Sequence, residues 1–367
     1  MYKRPKHIAI VCNYEVRPDR VGGMDRFFVA YDAFAKANSF QVTWYFSRFE
    51  PYSFYSNLTI KNADGENVES FFLKQLAVTA DEYDILITHF TSLCNSFYKQ
   101  ARKIQDFEKV IVVDHNPRPL NGFTFKKRLK NRVKGLLYHK YVDQFIGVSN
   151  YTSHHIIKDL GLHVAGKTTT IHNGIDTSQV CTSQRNRART YTQTDKLKLI
   201  IVSHLRESKG IQDVIAAISK LEPAELQKVE THIYGSGPME KELKDQVALN
   251  DLSNCIFFKG SSAQIPELLA DFDYLLQPTY MECFSLSILE SLAANVPVIT
   301  TTVGGNPEII IEGENGFLFE AKNTTRLIQI LKDLLNNEKG IYTSTSDTIR
   351  NGYTLEKMVI DHLKPIN

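Results

Sequence analysis

The chain reads as an α/β protein built from two Rossmann-like domains, each with a parallel sheet. Three observations predict this. Its 367 residues exceed the one core that about 100–200 residues ordinarily build. Short apolar runs alternate with stretches of helical spacing along the whole length, as repeated βα units do. Near the middle the pattern stops: Val180 to Lys196 is polar, with no periodic apolar face, and reads as a linker.

The first domain is expected over 1–179. Its strands are expected at His7–Cys12, Gln41–Tyr45, Ile85–Thr88, Val110–Val113, Gln144–Val148 and Thr169–Ile171. Helical patterns lie between them, as at Asp25–Ala37. The linker spans 180–196 and the second domain 197–345. There the strands are expected at Leu197–Ser203, Thr231–Tyr234, Ile256–Phe258, Tyr274–Gln277, Val298–Thr300 and Gly316–Phe319. Helices are expected at Ile211–Leu221, Met239–Ala248, Ile265–Leu269, Ser285–Ala294 and Thr324–Leu335. Parallel strands bind ligands beyond their C-terminal ends, so the loops there hold the candidate chemistry.

Composition is that of an ordinary globular chain, with 43% hydrophobic and 23% charged residues. The net charge of +2 hides an asymmetry: residues 1–180 carry 24 Lys and Arg against 17 Asp and Glu, the remainder 19 against 24. A basic first half fits an anionic surface. Nucleic acid is not expected, because no basic, aromatic surface motif appears. The five cysteines are scattered and form no CxxC pair, which points to a reduced, cytoplasmic chain without a zinc knuckle. The apolar run Ile8–Cys12 is too short for a signal peptide or a membrane span.

The strongest chemical signal is ECFSLSILE, Glu282 to Glu290. It follows an apolar run and opens a helix near Ser285. Backbone N–H groups at a helix start are unpaired and carry partial positive charge, so they bind phosphate. A carboxylate accepts paired hydrogen bonds from sugar hydroxyls. Glu282 before the start and Glu290, expected two turns beyond it, suit the two ends of a sugar nucleotide. A solvated helix with incidental acids is the plain alternative. Upstream, VSHLRESKG puts Lys209 in the loop after a strand, with Gly210 next to it; Lys is a natural counter-charge for a diphosphate. IYGSGP places Gly235 and Gly237 after another strand, where backbone is able to approach a flat base. PVITTTVGGNPEII adds a Gly-Gly turn and Glu308.

In this order the motifs resemble the donor domain of family 4 glycosyltransferases of the GT-B fold: VSHLRESKG, IYGSGPMEKEL, IFFKG, LQPTYMECFSLSILESLAANVPVITTTVGGNPEII and GENGFLF. ECFSLSILE matches the family's Glu-seven-residues-Glu signature. VGGMDRF, His115 after IVVD, and IHNGID extend the resemblance through the first half. It implies two domains facing each other across a cleft, the first binding acceptor and the second donor. It implies that Glu290 binds the ribose and Glu282 the transferred sugar. The amides of Phe284, Ser285 and Leu286 would meet sugar or diphosphate, which Lys209 neutralises. Gly22 and Gly23 would let a helix start approach the phosphates, and His115 would sit near the donor sugar. Asn173, His204, Arg206, Gly235, Gly237 and Lys259 complete the donor set, and His115, Glu282 and Lys209 form the catalytic set. Alternatively, His115 is a buried, hydrogen-bonded histidine at a strand end.

Departures from the family pattern are few. His204 stands where an Arg is usual, with Arg206 two positions on. Ser203, Cys283, Ser285 and Asn295 replace common glycines; a Ser at a helix start is able to cap it.

Two further features stay open on the residues alone. Asp271-Phe-Asp273 is either a metal-binding pair or a helix-to-strand junction, and the junction is preferred; no metal or other cofactor is expected. Gly122 to Lys140 spaces Phe125, Leu129, Val133, Leu136 and Leu137 as a helix does, with Lys127, Arg128, Lys130 and Lys134 largely on the rest of the wheel. That helix either packs on its domain or lies on an anionic membrane.

The expected activity is retaining transfer of a sugar from a nucleotide donor to a hydroxyl of a glycan or lipid-linked acceptor in polysaccharide assembly. The expected location is cytoplasmic, peripheral to the inner face of the membrane. A non-hydrolysing sugar-nucleotide epimerase and a catalytically silent subunit are the rivals. Residues 346–367 are expected to return to the first domain, as in relatives.

Overall fold

The computed structural model describes residues 4–18, 21–182 and 195–366. Most of the expected linker, 183–194, lies outside these. The chain forms two compact units: 1–117, 121–174 and 355–367 in one; 118–120 and 175–354 in the other.

The first unit carries seven strands: β1 (His7–Val16), β2 (Gln41–Phe49), β3 (Ile60–Asn62), β4 (Ile85–His89), β5 (Lys109–Asp114), β6 (Gln144–Gly147) and β7 (Thr168–Thr170). They pair in the order β3-β2-β1-β4-β5-β6-β7, parallel throughout. Helices α1 (Gly23–Ala37), α2 (Val68–Val78), α3 (Ser96–Ile104), α4 (Phe125–Tyr138) and α5 (Asn150–Leu160) connect them. Parallel strands covered on both faces must be apolar throughout, and Ile8 to Cys12 of β1 are fully buried. The three-residue β3 was not foreseen: it is too short to show a period.

The second unit carries β8 (Leu197–Val202), β9 (Val229–Tyr234), β10 (Ile256–Gly260), β11 (Tyr274–Gln277), β12 (Val298–Thr301) and β13 (Gly316–Phe319). Their order is β10-β9-β8-β11-β12-β13, again parallel. Its helices are α6 (Ile211–Ile218), α7 (Pro223–Leu226), α8 (Glu240–Leu249), α9 (Ile265–Leu268), α10 (Leu286–Ala293), α11 (Asn306–Ile309), α12 (Thr324–Leu335) and α13 (Ser346–Gly352). Leu199, Ile201, Val214, Ile233, Leu276 and Leu331 anchor the core between sheet and helices.

Residues 346–354 therefore stay with the second unit, and α14 (Leu355–Leu363) belongs to the first. There α14 packs on α1, with Phe27 and His362 ring centroids 5.0 Å apart.

Strand order reverses direction between β1 and β4, and between β8 and β11. At such a switch point the two loops diverge and leave room for a ligand beyond the strand ends. The loops after β8 and β11 carry Lys209 and Glu282.

Helix α4 does not bury its apolar stripe. Its inner side is Gly135, where an added Cβ would lie 2.3 Å from the Leu160 carbonyl oxygen. Phe125, Leu129, Val133, Leu136 and Leu137 are 46–72% exposed, so packing on the domain does not account for the stripe.

Candidate active site

Lys209 ends a short 3-10 turn, Glu207–Lys209, in the loop after β8. Its Nζ lies 3.0 Å from Glu282 Oε2. Both side chains are largely screened, at 23% and 17% exposure, where opposite charges hold each other more strongly than in open water. The loops carrying them touch through backbone. Tyr280 N donates to Ser208 O at 2.7 Å. Gly210 has φ 69°, and a Cβ there would lie 2.0 Å from the Pro278 oxygen; only glycine meets both conditions. Tyr280 closes the loop from the side, its hydroxyl donating to Asp213 Oδ2 at 2.8 Å and accepting from Gln212 Nε2 at 3.0 Å.

Helix α10 begins directly after this loop. Ser285 is its N-cap, its hydroxyl accepting from Ile288 N at 3.4 Å. Gln277 Nε2, from the end of β11, donates to Ser285 Oγ at 2.7 Å and to Ser287 Oγ at 3.2 Å. The serine hydroxyl is thus turned inward, and Ser285 is only 4% exposed. Leu286 and Ser287 supply the first amides of the helix. Phe284 is buried against Tyr353, ring centroids 5.5 Å apart. Glu290 is the fifth residue of α10, a little over one turn past its start rather than two, since at about 3.6 residues per turn even the N-cap Ser285 lies less than two turns before it.

The Gly-Gly turn after β12 supports the same segment. Gly304 has φ 66°, and a Cβ there would lie 2.0 Å from the Glu282 oxygen; Gly305 N donates to Cys283 O at 3.0 Å. Beneath it, Asn306 Nδ2 donates to Thr300 Oγ1 at 3.0 Å, and Thr300 Oγ1 donates to Gln277 O at 2.8 Å. Gln277, Thr300 and Asn306 were not singled out in the sequence. A Gln ending an apolar strand was the available sign.

Gly235 and Gly237 sit against the β8 loop. Added Cβ atoms would lie 1.9 Å from Ser203 O and 2.4 Å from Leu205 O. His204 Nδ1 donates to Ser236 O, so this exposed side chain fastens two loops together. Arg206 is exposed beside it. Lys259 lies within β10, its ammonium over the Phe257 ring at 5.3 Å. No hydrogen bond links it to Lys209 or Glu282 among the described residues. Asp273 Oδ2 accepts from Lys198 N at 2.8 Å, which ties β11 to β8 as a junction residue does.

The remaining predicted residues belong to the first unit. Gly22 caps α1, whose first residue is Gly23; Gly22 N donates to Asp25 Oδ2 at 2.8 Å. Asp25 also accepts from the Tyr14 and Tyr55 hydroxyls, at 3.0 and 2.9 Å. Burial raises its carboxyl pKa, against the pull of those hydrogen bonds. Asn173 is buried, next to Gly174, whose N–H donates to Met358 Sδ at 3.2 Å. His115 follows β5 and is half-buried. Its Nε2 lies 3.0 Å from His89 Nδ1, and its ring stacks on Phe90, centroids 4.3 Å apart and planes 19° apart. Desolvation holds its pKa down to about 3. It lowers His362 to about 4 and His89 well below its usual value, the latter helped by the two neighbouring histidines.

Two parallel-sheet Rossmann-like units with this helix arrangement define the GT-B fold. Residues 36–179 match the family model described as Glycosyltransferase Family 4, and residues 182–354 match Glycosyl transferases group 1. The two matches together take in most of the chain, which belongs to these glycosyltransferases. An uncharacterised glycosyltransferase of Methanocaldococcus jannaschii is 28% identical over 216 residues, 58% of this chain and 56% of that protein. N-acetyl-alpha-D-glucosaminyl L-malate synthase of Bacillus anthracis is 34% identical over 148 residues, 39% of this chain and 38% of that protein. The chain thus spans about half or less of the length of these relatives. Among solved structures, Anabaena HepE in complex with UDP-glucose superposes with a TM-score of 0.76 at 18% identity, covering 98% of this chain and 99% of that one. A glycosyltransferase from Rickettsia africae does so at 0.71 and 17%, covering 99% and 98%. At such identities the likeness is one of fold.

The three lowered histidines set a pH dependence. Each is neutral when folded and regains a pKa near 6.5 when unfolded. Their stabilisation is therefore full above about pH 6.5 and is lost as pH falls toward the folded values. Each contributes a slope of about 1.4 kcal/mol per pH unit in that window. The single tryptophan, Trp44, is buried in β2 and reports on the first unit. Urea unfolding followed by its fluorescence between pH 6.5 and 4.5 should steepen in acid, and His362→Phe should flatten the slope by one histidine's share. An unchanged slope in that variant counts against a neutral buried His362.

Proposed function

We propose that the protein is a retaining glycosyltransferase that moves a sugar from a nucleotide-sugar donor to a hydroxyl of a glycan or lipid-linked acceptor in polysaccharide assembly. The observation that carries this is the Lys209–Glu282 pair at 3.0 Å beside the Ser285-capped start of α10. A diphosphate laid on that start meets the helix's partial positive charge and the Lys209 ammonium. Lys209 then exchanges Glu282 for phosphate, and Glu282 is released to accept hydrogen bonds from the sugar. Glu290, just over one turn on, takes the ribose hydroxyls. The departing diphosphate is stabilised by fixed dipoles and one cation, and the acceptor is activated mainly by being oriented. Attack on the face that the diphosphate leaves gives retention. His115 is assigned to the sugar being transferred, and Gly22, Gly23 and Asn173 to the donor from the first unit. His204, Arg206, Gly235, Gly237 and Lys259 are assigned to diphosphate and base. No cofactor or metal is required in this scheme.

We also assign α4 to an anionic membrane surface, at the cytoplasmic face. No helix of the described residues is long and apolar enough to cross a membrane. Helix α4 instead exposes Phe125, Leu129, Leu136 and Leu137 among Lys126, Lys127, Arg128, Lys130 and Arg132. An apolar stripe flanked by cations is suited to the lipid–water boundary.

Three outcomes test these readings. Calorimetry against UDP, GDP, ADP and dTDP should find one diphosphate bound. Glu290→Ala should weaken it by roughly 1.5–3 kcal/mol, the worth of hydrogen bonds to a charged group. Glu282→Ala should leave that affinity nearly intact and reduce sugar transfer sharply; equal loss of diphosphate binding in both variants sinks the division of labour. Turnover should persist in excess EDTA, and complete loss restored by magnesium or manganese refutes the metal-free scheme. Sedimentation with phosphatidylglycerol vesicles should fall with salt and fall again when the exposed Lys127, Arg128 and Lys130 become Gln, each exposed cation near the surface contributing about 1 kcal/mol. Unchanged sedimentation removes α4 as the anchor.

A further inference from the structure

His115 is held by two consecutive residues, and a strand does not ordinarily allow this. Successive side chains on an extended strand point to opposite faces of the sheet. His89 ends β4 and turns its ring toward Phe27 and His362. In extended backbone Phe90 would project the other way. It instead has φ 58°, a left-handed conformation that is uncommon for any residue with a side chain and an outlier for a bulky one. Rotation about N–Cα from the extended to the left-handed region swings Cβ to the other side of the chain. The outcome is that His89 meets the edge of the His115 ring at 3.0 Å while Phe90 covers its face at 4.3 Å. The loop is fixed from a second side, since Asn13 Nδ2 donates to the Phe90 carbonyl at 3.4 Å and Tyr14 lies against the Phe90 ring at 5.6 Å.

We propose that His89 and Phe90 are positioning residues that clamp the His115 imidazole in one tautomer and one ring orientation. The proposal rests on the reading of His115 as a residue that meets the transferred sugar. A neutral imidazole carries one N–H, so the role of each nitrogen is set by what the other does. Nε2 faces His89, and among the described residues Nδ1 of His115 has no hydrogen-bond partner. The His89 contact therefore decides whether Nδ1 presents a proton or a lone pair to a ligand. The Phe90 stack keeps the ring from turning about its Cβ–Cγ bond and exchanging the two nitrogens. Strain that surrounding structure sustains at one residue is a mark of a site shaped for more than stability.

The deciding experiment is nitrogen NMR of the full chain labelled at histidine, at pH 7.5, with His115→Gln to assign the ring. Wild-type protein should show one neutral tautomer. His89→Phe keeps a ring in place but removes the hydrogen bond, and should give averaged tautomer shifts. Phe90→Leu should broaden the His115 signals, and Phe90→Tyr should restore them. If His115 keeps the wild-type shifts in both His89→Phe and Phe90→Leu, the clamp is overturned. His89→Gln serves where the phenylalanine variant fails to fold. Turnover with water as acceptor, of UDP-glucose or of GDP-, ADP- or dTDP-glucose where calorimetry finds that diphosphate bound, gives the second readout. His89→Phe and Phe90→Leu should lower kcat at least tenfold with KM within twofold of wild type. A His115→Gln variant with undiminished turnover defeats the reading of His115 and leaves the NMR to judge the clamp. A loss in His115→Gln without loss in the other two overturns the positioning role.

Discussion

Side chains are excluded where the loops of the second unit meet. Gly210, Gly235, Gly237 and Gly304 each bring backbone within about 2 Å of where a Cβ would stand. The oxygens they approach belong to Pro278, Ser203, Leu205 and Glu282, all beyond the C-terminal ends of strands. Four loops thus stack main chain on main chain. Everything chemical in this unit hangs on that stacking: it places Lys209 against Glu282, just before the start of α10. A methyl group at Gly210 or Gly304 pushes apart two loops rather than filling a void, because no flexible side-chain end is there to yield.

Much of this was legible in the sequence. Parallel strands buried on both faces show themselves as apolar runs, which is why twelve of the strands fall close to where those runs lie. Helix α10 was legible from the serine before its apolar residues, and Ser285 does cap it. What escaped was whatever depends on partners far away in the chain. Gln277 reads as one polar residue in YLLQPT, and only the fold shows that it draws in the Ser285 and Ser287 hydroxyls. His115 stood out after IVVD, but nothing local ties it to His89, 26 residues earlier. Phe90 gives no sign of its left-handed backbone, since tertiary contacts impose it against its own preference. The tripeptide β3 is too short for periodicity.

The two units handle polar groups differently. In the second, the site is ionic and half-open, and Lys209 and Glu282 satisfy each other while remaining within reach of solvent. In the first, the grouped polar residues are desolvated, and the histidines among them are neutral. His89, His115 and His362 are all held uncharged by burial, and Asp25 has its pKa raised while three donors converge on it. An ionic pair is able to trade partners for a charged ligand at modest cost. A neutral, desolvated cluster instead fixes geometry, because each of its hydrogen bonds is costly to leave unmade.

The return of α14 has a consequence for how the chain is made. The first unit is interrupted by the whole of residues 175–354. Phe27 of α1 waits for His362, the Gly174 amide for Met358, and Lys109 for the carbonyl of Pro365. On the ribosome, the second unit has all of its strands before the first has its last helix. The later-made unit is therefore the one free to fold first, against the usual order of synthesis. The earlier-made sheet must keep the apolar surface of α1 uncovered through the synthesis of some 180 further residues, an interval in which a chaperone has something to hold.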